Sequence, residues 1–369
     1  MASLVNIVRH LQTGARNALT PNYVEISVVG HCNFSCVQCH QAHHMREDVN
    51  LNHAKGASLL PSDMVLRLLD ELKDLDIETV ELCGRGEPTL HPDLDQFIRR
   101  VKKNGFKGNL VTNGSRISDT LIASIQETYF DEVAVSIYGL DNTSFREIAR
   151  PHGVASLDDI LRNMERMKCA APSTRITATL LIQAQWFDRL ETLVPLMSRM
   201  PADRFEFVVT RGYEDGHMIE SAERDANEQA GLTQARERLL EKGIAIPAPL
   251  DEFLLRRIAC STTDTIQSTY SRIPCYAGHW ALFVADDATV RPCSNSNWVL
   301  GNLREQKLAE IWRSGSYDDF RSRAGTHILA TRTPLPKSYC SHCGWSRFQE
   351  QLHGAVIGEN NSFSLKNPF

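Results

Sequence analysis

Between residues 23 and 242 one pattern recurs six times: a short β-type run, then a segment with apolar residues at helical spacing. The β-type runs are 23–30, 77–83, 108–112, 132–138, 175–182 and 204–210. The helical segments that follow them are 62–75, 93–103, 119–128, 141–148 with 157–168, 187–199 and 233–242. A helix between successive strands returns the chain to the same end of the sheet, so the strands run parallel. The expectation is an α/β fold, a partial (β/α)6 TIM-like barrel. Functional side chains on such a sheet gather at the carboxyl ends of its strands.

After Pro247 the alternation stops. Residues 280–285 and 289–291 flank Asp286, Asp287 and Ala288 as a hairpin around a turn, and 305–314 reads as a short helix. The chain therefore divides into an N-terminal extension (1–22), the barrel (23–245), a small cysteine-rich β-hairpin and helix domain (246–353) and a tail (354–369). The polar, acidic stretch 212–229 reads as a surface excursion. An apolar content of 42% excludes disorder, and 21 Gly and 15 Pro in 369 residues exclude a collagen-like chain. Forty Lys and Arg against 45 Asp and Glu leave a formal charge of −5, which gives no support to a nucleic-acid partner. No run reaches the roughly 18 apolar residues of a membrane span, and residues 1–20 lack the apolar core of a signal peptide. A soluble cytoplasmic protein with no membrane partner is expected.

Seven of the ten cysteines fall into two groups, three near the start and four near the end. In a reducing cytoplasm, clustered cysteines point to metal or redox chemistry rather than disulfides. Cys32, Cys36 and Cys39 form a C-x3-C-x2-C array directly after the first strand. Three thiolates from one tight loop can ligate three irons of a 4Fe-4S cube and leave the fourth iron open. Structural zinc is the alternative; it needs a fourth ligand, for which His40, His43 and His44 are near.

A three-cysteine loop at this place resembles the radical S-adenosylmethionine (SAM) superfamily. The run Cys83-Gly84-Arg85-Gly86-Glu87-Pro88 after the second strand resembles that family's GGEP motif. The resemblance implies that the open iron holds the amino and carboxylate groups of SAM. One electron then cleaves the sulfonium to methionine and a 5′-deoxyadenosyl radical, which abstracts a substrate hydrogen. It also implies SAM contacts from Gly86, Glu87 and Pro88, from Asn113 in the run Val111-Thr112-Asn113-Gly114, from Ser136 and Arg150, and from Phe34 and Gln38 in the cysteine loop. Gln38 stands where the family has an aromatic residue near the adenine, and Arg85 where it has a glycine.

Cys275 and Cys293 flank the hairpin, and Cys340-Ser341-His342-Cys343 follows the short helix. This order resembles the SPASM/twitch extension of radical SAM enzymes and implies an auxiliary 4Fe-4S cluster held by Cys275, Cys293, Cys340 and Cys343. Four cysteines equally complete a structural zinc site. Cys260, before the hairpin, is a candidate extra ligand. Cys169 fits the usual role of a small hydrophobe. Cys83 ends the second strand on the active side, where a thiol could return a hydrogen atom to a substrate radical.

The resulting expectation is SAM-dependent hydrogen abstraction, leading to oxidation through the auxiliary cluster or to epimerisation. An electron donor such as flavodoxin or ferredoxin is implied. Because about 22 residues precede the first strand, too few for a leader-gripping module, a small natural-product substrate such as an aminoglycoside or nucleoside sugar is expected. Asp141, Glu206, Glu214 and Asp215 are candidate contacts for a cationic one. A peptide-modifying maturase is the alternative, and a non-catalytic zinc-binding interaction protein a further one.

Overall fold

The structure is a computed structural model and describes residues 4–13, 20–39, 58–75, 77–210, 213–214, 217–218, 222–259, 273–331 and 346–358. The six expected strands are β1 (Tyr23–Ser27), β2 (Thr79–Cys83), β3 (Lys107–Thr112), β4 (Glu132–Ile137), β5 (Arg175–Gln183) and β6 (Arg204–Thr210). Each pairs in parallel with the next. The helices between them include Ser62–Glu71, Leu94–Lys103, Asp119–Thr128, Asn142–Ala149, Leu157–Ala170 and Leu193–Arg199. Their buried faces, such as Phe97, Ile98 and Val101 on one helix, join strand residues such as Val24, Ile26, Val80 and Leu82 in one core.

The C-terminal hairpin is part of the same sheet. Its strands β9 (Ala281–Val284), β10 (Thr289–Arg291) and β11 (Gly301–Asn302) extend the sheet in the order β11-β10-β9-β1-β2-β3-β4-β5-β6. Between β6 and β9 lies a two-stranded sheet of β7 (Tyr213–Glu214) and β8 (His217–Met218). β9 lies parallel to β1, with Tyr23 opposite Ala281 and Glu25 opposite Phe283. The edges of the nine-stranded sheet are therefore β6 and β11.

Several helices were read from the sequence only in part or not at all. The helix expected over 233–242 is Ala222–Glu241, and its start lies inside the acidic stretch expected as an excursion. Ala248–Ala259 and Gly315–Thr331 are also helical. At the amino end, helix Leu4–Gln12 lies against helix Ser346–Val356, where Gln12 donates to the Ala355 carbonyl at 3.1 Å. Among the described residues no helix is long and apolar enough to cross a membrane.

Candidate active site

The loop after β1 is anchored by its own aromatic residue. Phe34 is buried and meets Tyr138 and Phe145 edge-on, at centroid distances of 6.1 and 5.7 Å. The loop backbone docks on the carboxyl end of helix Asn142–Ala149. Val37 N–H donates to the Ile148 carbonyl, and Ser35 N–H to those of Ala149 and Arg150. These carbonyls are the ones a helix end leaves unpaired. Arg150 closes that helix in the left-handed conformation (φ 45°), with an exposed side chain. Its contact with the cysteine loop is thus made by its backbone.

So held, Cys36 is buried and Cys32 and Cys39 are half-buried. Burial pushes the Cys32 thiol up to about 12 and that of Cys36 higher still. The buried Tyr138 hydroxyl hydrogen-bonds Cys36, and its own pKa is raised by burial and by the neighbouring thiols. Thiolates here need a cation to hold them, so the donor chemistry is that of a metal site. A single zinc would draw its sulfurs to about 3.8 Å from one another, given Zn–S bonds of about 2.3 Å. Among the described residues the trio whose ligand atoms converge within 4.8 Å is Glu25, Glu81 and Cys83, not the cysteine loop. Three thiols from one loop fit a cube with one iron left open.

The turn after β2 is threaded against this loop. Gly86 N–H donates to Val29 and Glu87 N–H to His31, both at 2.9 Å. A Cβ on Gly86 would lie 1.7 Å from the His31 carbonyl oxygen, so only glycine fits. Glu87 is buried, and four groups already donate to its carboxylate. Thr89 N–H, Thr89 Oγ1 and Thr112 Oγ1 reach Oε1, and Asn113 N–H reaches Oε2 at 2.7 Å. Asn113 is similarly engaged: its amide donates to Asn33 Oδ1 and Cys32 Sγ and accepts from Ser115. Both side chains act as joints between the ends of β1, β2 and β3. Pro88 opens a single turn at Pro88–Leu90, and Ser136 hydrogen-bonds Tyr138.

Gln38 differs from all of these. Both its amide atoms, Nε2 and Oε1, are buried without a partner. A buried unpaired amide is costly unless a ligand satisfies it. A donor–acceptor pair beside the three thiols fits the polar edge of a SAM molecule. Arg85, the other departure from the family pattern, forms a buried ion pair with Asp286 in the β9–β10 turn (Nε to Oδ1, 2.6 Å). Two of the acids expected to meet a cationic substrate, Asp141 and Glu206, are otherwise employed. Asp141 caps helix Asn142–Ala149 and pairs with Arg189, and Glu206 pairs with Arg204. Asp215, Cys260, Cys340, Cys343, His40, His43 and His44 lie outside the described residues.

Cys83 lies inside the barrel, buried, with Phe283 and Ala285 of the hairpin beside it. Its thiol donates to Glu25 Oε1 at 3.4 Å and to the Ile26 carbonyl at 3.5 Å. Cys169, expected as a small buried hydrophobe, is instead exposed on helix Leu157–Ala170. Cys275 and Cys293 pack against one apolar cluster that includes Tyr23, Trp280, Phe348 and Leu352. Gln349, six positions beyond Cys343, accepts from Tyr276 N–H at 2.8 Å, which brings the chain back beside Cys275. Sequence reasoning missed Tyr138 and Gln349, since nothing in their spacing marks them.

The model of the radical SAM superfamily matches residues 26–192, and that of the SPASM iron–sulfur cluster-binding domain matches 275–344. The chain belongs to the radical SAM superfamily. It carries a SPASM domain, and its cofactors are 4Fe-4S clusters and SAM. Among curated relatives, the tungsten-containing aldehyde ferredoxin oxidoreductase cofactor-modifying protein of Pyrococcus furiosus is 21% identical over 88% of this chain and 95% of its own length. The PqqA peptide cyclase of Xanthomonas axonopodis pv. citri is 24% identical over 70% of this chain and 67% of its own. Further relatives named probable GTP 3′,8-cyclases match over less than half of their length. Among solved structures, Streptococcus suis SuiB bound to its precursor peptide SuiA shares the fold, with a TM-score of 0.59 at 18% identity over 86% of this chain and 70% of SuiB.

Proposed function

We propose that this radical SAM protein holds its SAM-binding cluster on Cys32, Cys36 and Cys39 and abstracts a hydrogen atom from a peptide substrate. When bound, the cluster and SAM supply a 5′-deoxyadenosyl radical. The reading rests on one observation: three thiols, one buried and two half-buried, in a loop tied by hydrogen bonds to the Gly86-Glu87 turn and to Asn113. The chain's own residues orient the cofactor. Gly84 and Gly86 let the backbone come close, Gln38 offers its unpaired amide, and Glu87 and Asn113 lock the three strand ends together. Ser136 holds Tyr138 against Cys36, and Phe34 keeps the loop seated.

Cys275, Cys293, Cys340 and Cys343 would hold an auxiliary cluster, which would supply an electron acceptor for a product radical when the outcome is oxidation, with a flavodoxin or ferredoxin as its redox partner. Cys83 returns a hydrogen atom when the outcome is epimerisation. A peptide substrate is favoured by the names of PqqA peptide cyclase and of SuiB with SuiA. A small cationic sugar is less favoured, because Asp141 and Glu206 are already paired.

The test is anaerobic reconstitution with SAM and dithionite. About eight irons per chain and formation of 5′-deoxyadenosine are expected. Replacing Cys32, Cys36 and Cys39 with Ala should leave about four irons and no 5′-deoxyadenosine. Continued 5′-deoxyadenosine formation by that variant would overturn the ligand assignment.

A further inference from the structure

The interior of the barrel is unusually acidic. Glu25, Glu81, Asn109 and Glu132 lie in one register row across β1, β2, β3 and β4, and all four are buried. Glu25, Glu81 and Cys83 bring a carboxylate oxygen each and the thiol sulfur within 4.8 Å of one another. Asn109 Nδ2 donates to Glu81 Oε2 at 2.5 Å. Asn109 Oδ1 is buried and meets no protein donor. Asn109 and Glu132 both line a cavity of about 650 Å3 at the amino ends of β2 to β6, with Lys107, Asp131, Arg175 and Asp203. The row thus runs from the thiol at the catalytic side to this cavity at the opposite face.

We infer that Glu25 and Glu81 form a proton relay that stores and returns the proton of the Cys83 thiol, refilled by water from the amino-face cavity, with the Asn109 amide orienting Glu81. The inference rests on Cys83 acting as the hydrogen donor described above. In that step the Cys83 S–H bond breaks, the hydrogen atom forms a C–H bond on the substrate radical, and a thiyl remains. One electron from a reduced 4Fe-4S cluster converts the thiyl to a thiolate. The Glu25 carboxyl then gives its proton to sulfur and is left as carboxylate, to be reprotonated by Glu81.

Charge supports this direction of flow. Two carboxyls and a thiol in one buried compartment cannot all ionise. Burial raises Glu25 to about 7 and Glu81 to about 8, the latter pushed further by Glu25 and Glu132. The Cys83 thiol is raised more strongly, so it takes the proton from either. The groups facing Glu25 and Cys83 are Tyr23 on β1, Glu81 on β2, and Ser294 and Asp286 of the hairpin region, while Glu132 on β4 faces Glu81. The cations Arg175 and Arg204 meet Glu132, at the outer end of the row.

Infrared titration of the reconstituted full-length chain tests the relay. Protonated carboxyl C=O bands should be present near pH 6 and fade through about pH 7 to 8. Glu25→Gln should remove one band and shift the Cys83 S–H stretch, the latter identified by its loss in Cys83→Ala. Glu81→Gln should remove the other. In Cys83→Ala the Glu25 midpoint should rise, because the thiol no longer stabilises the carboxylate; this reads the same link should Glu25→Gln lose its clusters. No protonated carboxyl near pH 6, or an S–H band indifferent to Glu25→Gln, would overturn the relay. Failure of the catalytic reading shows separately, as wild-type protein that titrates in this way yet makes no 5′-deoxyadenosine.

Discussion

Gln38 carries opposite consequences for stability and for binding. Its buried amide has no protein partner, and each such group costs about 1–3 kcal/mol while it stays unpaired. Gln38→Leu should therefore raise the thermal stability of cluster-loaded protein in the absence of SAM. The same change should weaken SAM binding by about threefold to tenfold, the worth of one or two hydrogen bonds. Thermal denaturation and equilibrium dialysis check the two halves. Unchanged SAM affinity would remove Gln38 from the cofactor site. Gly86 is less forgiving: a methyl group 1.7 Å from the His31 oxygen forces the turn open. Gly86→Ala should cost SAM binding even where iron content is kept.

Arg85 joins two elements that lie far apart in sequence. Its guanidinium and Asp286 are both buried, so removing one charge strands the other. Such losses run to about 3–5 kcal/mol. Arg85→Ala and Asp286→Ala should each lower stability by this order in denaturant titrations. The double variant should lose much less than their sum; full additivity would show that the pair does not couple the turn after β2 to the hairpin. This contact also shows what could be read from residues alone. The six strands, the hairpin and the cysteine loop were legible because periodicity and spacing report local structure. That Arg85 has its partner 201 positions away was not. Nor was the inward direction of Glu25, Glu81 and Glu132, because an alternating strand looks the same whether its polar face meets water or a barrel interior. Of the helix Ala222–Glu241 only the second half was legible, because the polar, acidic composition of its start masked helical spacing.

The interior carboxyls also govern how the whole molecule responds to pH. Folding raises Glu25 to about 7 and Glu81 to about 8, from an ordinary value of 4.5. Their contribution is therefore complete below about pH 4.5 and is lost as pH rises through 7 and 8. Between pH 5 and 8 the loss should reach a few kcal/mol. Denaturation of the reconstituted protein across that range should show falling stability, and Glu25→Gln with Glu81→Gln should flatten the slope. A slope unchanged by both substitutions would mean that these groups stay ionised in the fold.

The placement of β9 beside β1 bears on how the chain is made. As the ribosome releases β1, its future neighbour on one side is β2, but the other edge waits for Ala281–Val284. Most of the polypeptide must emerge before that edge is covered. An unpaired strand edge invites pairing with another chain. Synthesis halted before residue 281 should thus yield a sticky nascent product that engages chaperones, so the hairpin acts as a late seal on the first strand.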